Sequence, residues 1–303
     1  MRQFLAINRR NLKIYIRDTG AIFYSFLSMI IIIILMLFFL GDVNSDGILE
    51  MIKMIPGRGG AEDVEFAKKL IYVWTTAGII TINASTVTLA FLANMIKDRN
   101  QNRLNSILVM PTNRTTIVLG YIFGAFTASV FMCTMTLLIT ELLGLVKGIG
   151  FFSFDVHVKL LLLILVNSFI SASVMFLFAA MIKTEGAWSG FGIVVGTVVG
   201  FLGGIYFPAG SLSSGVLKAI KCFPIIYGSS AFRKVMMNDL ETEFFKGTPD
   251  IMRKEFDFTM GIDLTLFKKD LSIGTEVCIL MAIGIIFALL GILYVQYGKR
   301  KDR

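Results

Sequence analysis

Six long uncharged apolar runs, residues 21–40, 70–96, 115–140, 160–182, 186–207 and 277–297, constrain this chain more than any other feature. Each is near the twenty or so residues that a helix needs to cross a hydrocarbon layer of roughly 30 Å. No water satisfies backbone groups at that depth, so each run must be a helix or a strand of a closed barrel. Barrel strands alternate with period two, whereas these runs are apolar all round. The sequence therefore predicts an all-α integral membrane protein with six transmembrane helices. Composition agrees, since 55% of the 303 residues are hydrophobic and only 17% are charged, against about 25% in ordinary soluble domains. The first run exceeds a signal-peptide core, and no small-residue cleavage pattern follows Phe38-Phe39-Leu40-Gly41-Asp42, so it reads as a retained span.

Charge sets the orientation, because cytoplasmic segments of membrane proteins are enriched in Lys and Arg. With both termini cytoplasmic, the inner segments hold fourteen basic and four acidic residues, an excess of +10. The remaining 15 basic and 17 acidic residues leave −2 outside, recovering the net +8. The basic balance is thus a topology signal, and no nucleic-acid partner is needed to explain it. The three cysteines, Cys133 and Cys278 in spans and Cys222 in a loop, read as buried small hydrophobes rather than a disulfide framework.

Residues 1–20 form a candidate interfacial helix. At about 100° per residue, Arg2, Arg9, Arg10, Lys13 and Arg17 gather on one arc, and Phe4, Leu5, Leu12, Tyr15 and Ile16 lie largely opposite, interrupted by Asn8 and Asn11. Such a helix rests at the headgroups with its cations toward membrane lipid; a generic positive flank would explain the charges as well. Residues 41–69 read as an outer loop closed by a short helix over 62–70. The long segment 208–276 divides into an apolar, small-residue-rich first part and a charged second part, 238–272, expected to be a small solvated extracytoplasmic cap.

The segment 97–114 is polar at first and then amphipathic, with Leu104, Ile107 and Leu108 on one helical face before Pro111 stops the helix. It fits either a knob for a cytosolic partner's groove or a loop helix lying on lipid. Along span five, Gly192, Gly196, Gly200 and Gly204 recur every four residues, a stripe that admits a neighbouring backbone. Packing within the chain, a dimer interface and a substrate path all fit it. In span two, Thr81, Asn83, Ser85 and Thr88 serve either hydrogen bonding between helices or a weakly polar pathway wall, while Asn167 and Ser171 in span four read as packing.

Several chemistries are disfavoured. No Gly-x-x-x-x-Gly-Lys-Ser/Thr phosphate loop occurs, and no His or Cys pair has metal-ligand spacing. His157 reads as an interfacial loop residue. Glu141 and Glu276 stand at span ends, where solvent is expected to reach them, and no ionisable residue lies deep in a span. That weakens an ion-coupled secondary transporter or channel, and no nucleophile–base set supports an intramembrane enzyme.

The run Arg103-Leu104-Asn105-Ser106-Ile107-Leu108-Val109-Met110-Pro111-Thr112-Asn113-Arg114, with Gly120 after it, resembles the coupling-helix region of ABC-2 type transporter permeases. Leu104, Pro111, Arg114 and Gly120 match; Asn100 stands where the family commonly has Glu, and Arg103 where it often has Thr. Phe207-Pro208-Ala209-Gly210-Ser211-Leu212, followed by Leu217, Ile220, Phe223-Pro224, Tyr227 and Phe232-Arg233, is similar to the family's re-entrant stretch, with Ser213 replacing a second proline. The resemblance implies a non-catalytic permease subunit of an ABC exporter in a bacterial plasma membrane. It implies a second permease subunit, identical or sister, and cytosolic ABC ATPase subunits that carry ATP and Mg, this chain holding no cofactor itself. Arg99, Arg103, Leu104, Ile107, Leu108 and Arg114 are then the expected ATPase-coupling residues. An importer permease would carry a longer loop with Glu-Ala-Ala-x-x-x-Gly, which is not found here. With 27 Phe and 16 Met, the interior suits a hydrophobic or amphipathic drug, peptide or lipid.

Overall fold

The computed structural model describes residues 2–35, 47–50, 52–53, 58–101, 103, 113–266 and 269–297. Among them five helices are long and apolar enough to cross a bilayer, and six if the bent pair of helices at the amino terminus is taken as one span. Helix α1 (Arg2–Arg17) breaks at Asp18 into α2 (Thr19–Leu35), whose axis is bent by 68° from that of α1. The remainder of the first expected span, 36–40, lies outside the described residues. Helix α1 buries Asn8, Asn11 and Tyr15 and exposes Leu5 and Ile16. It crosses the helix that begins at Arg114, where Gly120 and Gly124 clear its path. A Cβ at Gly120 would sit 2.7 Å from Ile7, and one at Gly124 would sit 3.2 Å from Asn8 Oδ1.

Helix α3 (Ala61–Asn100) is the axis of the fold. The expected separate helix over 62–70 is instead its first two turns, because no glycine or proline interrupts the chain between Ala61 and Gly78. Glu62 and Asp63 stand in its first turn, where carboxylates favour the positive end of the helix dipole. Its 40 residues reach about 60 Å at 1.5 Å per residue, roughly twice the hydrocarbon thickness. The helix is therefore longer than the layer it is expected to cross.

Around α3 stand α4 (Arg114–Val146), α5 (Phe154–Met181), α6 (Glu185–Leu202) and the last helix, Ile273–Tyr297. The Ser153 hydroxyl accepts from Val156 N–H and the Thr184 hydroxyl from Ala187 N–H, side-chain caps that fix where α5 and α6 begin. His157 is therefore in the first turn of α5, not in a loop. Helix α6 stops at Leu202, five residues short of the expected end, and Gly204 has φ +63°. Gly204 thus leaves the stripe and serves a turn that needs a left-handed residue.

A 3₁₀ turn (Ala209–Ser211) and short helix α7 (Ser214–Ile220) lead into α8 (Pro224–Phe244), then α9 (Asp250–Thr259). Strands β1 (Thr265–Leu266) and β2 (Lys269–Asp270) pair antiparallel, Thr265 with Asp270, and α10 (Ile273–Tyr297) closes the chain. The part expected to be a solvated cap has an apolar core of its own. Phe244, Phe245, Phe256, Met260 and Ile262 are buried and continuous with Trp74 and Leu70 in the amino-terminal half of α3. The cap is thus a small domain packed onto the helix that the apolar runs predicted only to cross the membrane.

Candidate functional site

The end of the bundle that carries α1 is held together by the last turn of α3. Arg10 on α1 donates to both carboxylate oxygens of Asp98, at 2.8 Å and 3.0 Å, and the Tyr121 hydroxyl of α4 donates to Asp98 Oδ2 at 3.1 Å. Asp98 is 4% exposed, so this acid neutralises a cation where little water remains. The hydrogen bond to Asp98 raises the affinity of Arg10 for its proton.

The next residue points the other way. Arg99 donates to the carbonyls of Ile182 at 2.7 Å, Ala180 at 3.3 Å and Ala179 at 3.5 Å. These belong to the carboxyl end of α5, where helix carbonyls lack intrahelical partners and attract cations. With its amide oriented to satisfy both neighbours, Asn100 donates to Lys183 O at 2.9 Å and accepts from Glu185 N–H at 3.2 Å. Arg114, which opens α4, donates to Val295 O of α10 at 3.1 Å, and Gln296 donates to Thr115 Oγ1 at 2.9 Å. Both ends of the segment 101–113 are therefore anchored, one to α1, α4 and the α5–α6 turn, the other to α10. Arg103 is exposed; Leu104, Ile107 and Leu108 lie outside the described residues.

Inside the bundle, the polar residues of α3 bond to neighbouring helices and also reach two cavities. Asn83 Nδ2 donates to Thr136 Oγ1 at 2.7 Å, Asn167 Nδ2 to Thr81 O at 3.1 Å, and the Ser85 and Ser171 hydroxyls are 3.3 Å apart. Thr81 and Thr88 turn their hydroxyls onto α3's own carbonyls. One cavity of about 150 Å³ lies between α2, α3 and α6 and is lined by Asn83, Gly196 and Gly200. A second, of about 200 Å³, lies on the other side of α6 and is lined by Ser85, Asn167 and Ser171. The glycines do not act alike. A Cβ at Gly192 would meet Leu89 at 3.2 Å and one at Gly200 would strike the Tyr206 ring at 2.3 Å, while Gly196 has open space.

Sequence reasoning missed the ionic groups of the opposite end. Arg233 is fully buried, lies 4.4 Å from the centroid of the Trp74 ring, and donates to Gly203 O and Gly204 O, each at 3.0 Å. Its other arm donates to Met260 O at 3.3 Å and Gly261 O at 3.4 Å. The motif match contained this residue, but nothing local marks an arginine as one that will face only carbonyls. Glu276 is not solvent-reached, as its place at a span end had suggested. It is 0% exposed, accepts from Ser230 Oγ at 2.7 Å and pairs with Lys234 at 2.9 Å. Glu141 is likewise buried, with His157 Nε2 within 3.0 Å. Cys133 is buried as expected, but Cys222 and Cys278 are exposed.

In the cap, Glu241 of α8 and Asp257 of α9 are buried side by side. Burial first, and the neighbouring carboxylate next, push the Glu241 pKa up; burial and Asp263 push Asp257 up. Arg253 reaches Glu241 Oε2 at 3.4 Å and Asp257 at 4.0 Å. Among the described residues no group of three or more His, Cys, Asp or Glu side chains is arranged to hold a metal ion.

No curated protein matches the chain. The family described as ABC-2 family transporter protein matches residues 60–293, from the start of α3 to the last turns of α10. That range takes in α3 to α10, with the anchored 101–113 segment and the stretch from Phe207 to Arg233, and the chain belongs to the ABC-2 family of transporter proteins.

Proposed function

We propose that this chain is the permease subunit of an ABC exporter, moving a hydrophobic or amphipathic cargo across a bacterial plasma membrane. Two such subunits, identical or sister, would form the pathway, and cytosolic ATPases binding ATP and Mg would drive it. In this reading both termini and the segment 97–114 are cytoplasmic and the cap is outside. The observation that carries the coupling role is the last turn of α3. Asp98, Arg99 and Asn100 each bond to a different element immediately before the 101–113 segment. A push on that segment would therefore reach α1, α4, α5 and α6 through hydrogen bonds rather than through a flexible hinge. Arg99 and Arg114 then act as anchors behind the docking surface, and Arg103, Leu104, Ile107 and Leu108 form the surface itself.

Co-expression with the ATPase that accompanies it tests the reading. The pair should copurify, and hydrolysis should depend on the ATPase subunit. Cargo movement by the chain alone, driven by an ion gradient, would favour a secondary transporter. Lys254→Cys on the exposed face of α9, in a chain with Cys133, Cys222 and Cys278 replaced by Ser, tests the topology. Intact cells should label with an impermeant thiol reagent, and labelling only after permeabilisation would invert the assignment.

A further inference from the structure

The cavity between α5 and α6 has walls of a kind that select a ligand. It is roofed by Phe223, Pro224 and Ile225, the residues that open helix α8, and closed at its far end by the Phe178 and Phe191 rings, whose centroids are 4.9 Å apart. None of its lining residues is charged. An ionised ligand would have no partner there, and an unpaired charge in such a place is strongly disfavoured. An apolar cavity of about 150 Å³ holds one benzene ring, so the roughly 200 Å³ here takes a somewhat larger apolar group.

One side of the cavity is polar in a specific way. Ser85 and Ser171 have between them two O–H donors, but the single contact between their hydroxyls, at 3.3 Å, uses one. Among the described residues the other proton has no acceptor. Asn167, whose Nδ2 donates to Thr81 O, does not accept from either hydroxyl through its Oδ1, their one hydrogen bond being the one to each other. The outer wall includes Val198, 40% exposed on the flank of α6, so the cavity opens sideways from the bundle rather than only along its axis.

We propose that this cavity encloses one aryl ring and the carbonyl of an uncharged aryl ketone, with the acceptor on the Ser85–Ser171 pair and a second ring lying in the side opening beside Val198. The enclosed ring fills the space next to the aromatic end. Binding itself does not depend on the transporter reading; only the identification of such a molecule as cargo rests on it.

Benzophenone is a suitable probe, being uncharged, two-ringed, a ketone, and photoreactive toward nearby C–H bonds. The purified full chain in discs of dioleoyl phosphatidylcholine is irradiated with it, and adducts are located by peptide mass spectrometry. Adducts should concentrate on Val174, Met175 and Val198, several-fold above those on the exposed Leu289 and Leu290 of α10. Fluorenone should compete better than fluorene, which has the same shape without the oxygen, by roughly three- to tenfold. Ser85→Ala with Ser171→Ala should erase that difference while fluorene competes as before. Val198→Trp, entering from an exposed position, should abolish cavity adducts with an unchanged thermal melt. Equal labelling of the cavity and the α10 face would mean partition into lipid only, and failure of fluorenone to compete would mean no defined site; either overturns the proposal. ATPase association is measured separately, so loss of the site and loss of the transporter reading are distinguishable.

Discussion

Arg10 grips Asp98 with both arms of its guanidinium, at 2.8 Å and 3.0 Å, across 88 positions of sequence. The pair fixes the amino-terminal helix to the last turn of the central helix, and Tyr121 adds a third element to the same carboxylate. Asp98→Ala removes the acceptor of both donors, and hydrogen bonds to charged groups contribute about 1.5–3 kcal/mol. The variant should melt earlier and α1 should become sensitive to protease. Exchanging the two residues should not rescue it, because Tyr121 would then face a cation beside Arg99. Rescue by the exchange would show that simple attraction, not this geometry, holds α1.

The cap end depends on a planar donor. Arg233 serves carbonyls of Gly203, Gly204, Met260 and Gly261 while stacking near Trp74. An ammonium cannot reproduce that fork. Arg233→Lys should therefore lower the melting temperature and raise hydrogen exchange in 203–211 and 259–263 together. A melt and exchange pattern like that of the parent chain would contradict the clamp.

How much of this was legible in the sequence follows from what each feature depends on. The apolar runs after the first located five long apolar helices, because the lack of water at depth is a constraint that acts locally. The end of α6 was misjudged because Gly203-Gly204-Ile205-Tyr206-Phe207 is still apolar; what stops the helix is the left-handed Gly204, with its carbonyl taken by Arg233. The burial of Glu276 was invisible because its partners, Ser230 and Lys234, come from a segment more than forty residues earlier. Asp98 offered a faint signal, as one acid within a basic stretch. Leu104, Ile107 and Leu108 remain readings of periodicity and resemblance.

The glycines of α6 separate packing from open space. Gly200→Ala places a methyl against the Tyr206 ring and should destabilise by about 1–3 kcal/mol, the usual range for overpacking. Gly196→Ala, where nothing lies within 4 Å of a Cβ, should fold with unchanged stability. Thermal melts of the two variants in the same lipid check the contrast, and equal losses would restore a continuous packing stripe.

The cap should loosen as pH rises. Glu241 and Asp257 have pKa values raised by burial and by neighbouring carboxylates, so the folded cap holds more protons than the unfolded chain above the ordinary carboxylate range of about 4. Its stability then falls as pH rises through the raised values. Hydrogen exchange in α9, corrected for intrinsic rate, should be faster at pH 9 than at pH 6. Glu241→Gln should flatten that dependence, and an exchange profile independent of pH in the parent chain would contradict the raised affinity of these buried carboxylates for protons.

The coupling claim is tested most directly at the segment between the two anchors. Leu104→Asp with Leu108→Asp puts carboxylates on the apolar face expected to enter an ATPase groove, where an unpartnered charge is costly. Both positions lie outside the predicted spans, so the variant should insert and fold as the parent chain does. ATPase association, measured by copurification from the same membranes, should be lost, and with it cargo-stimulated hydrolysis. A folded double variant that retains its ATPase and full ATP-driven transport would contradict the assignment of this segment as the coupling element.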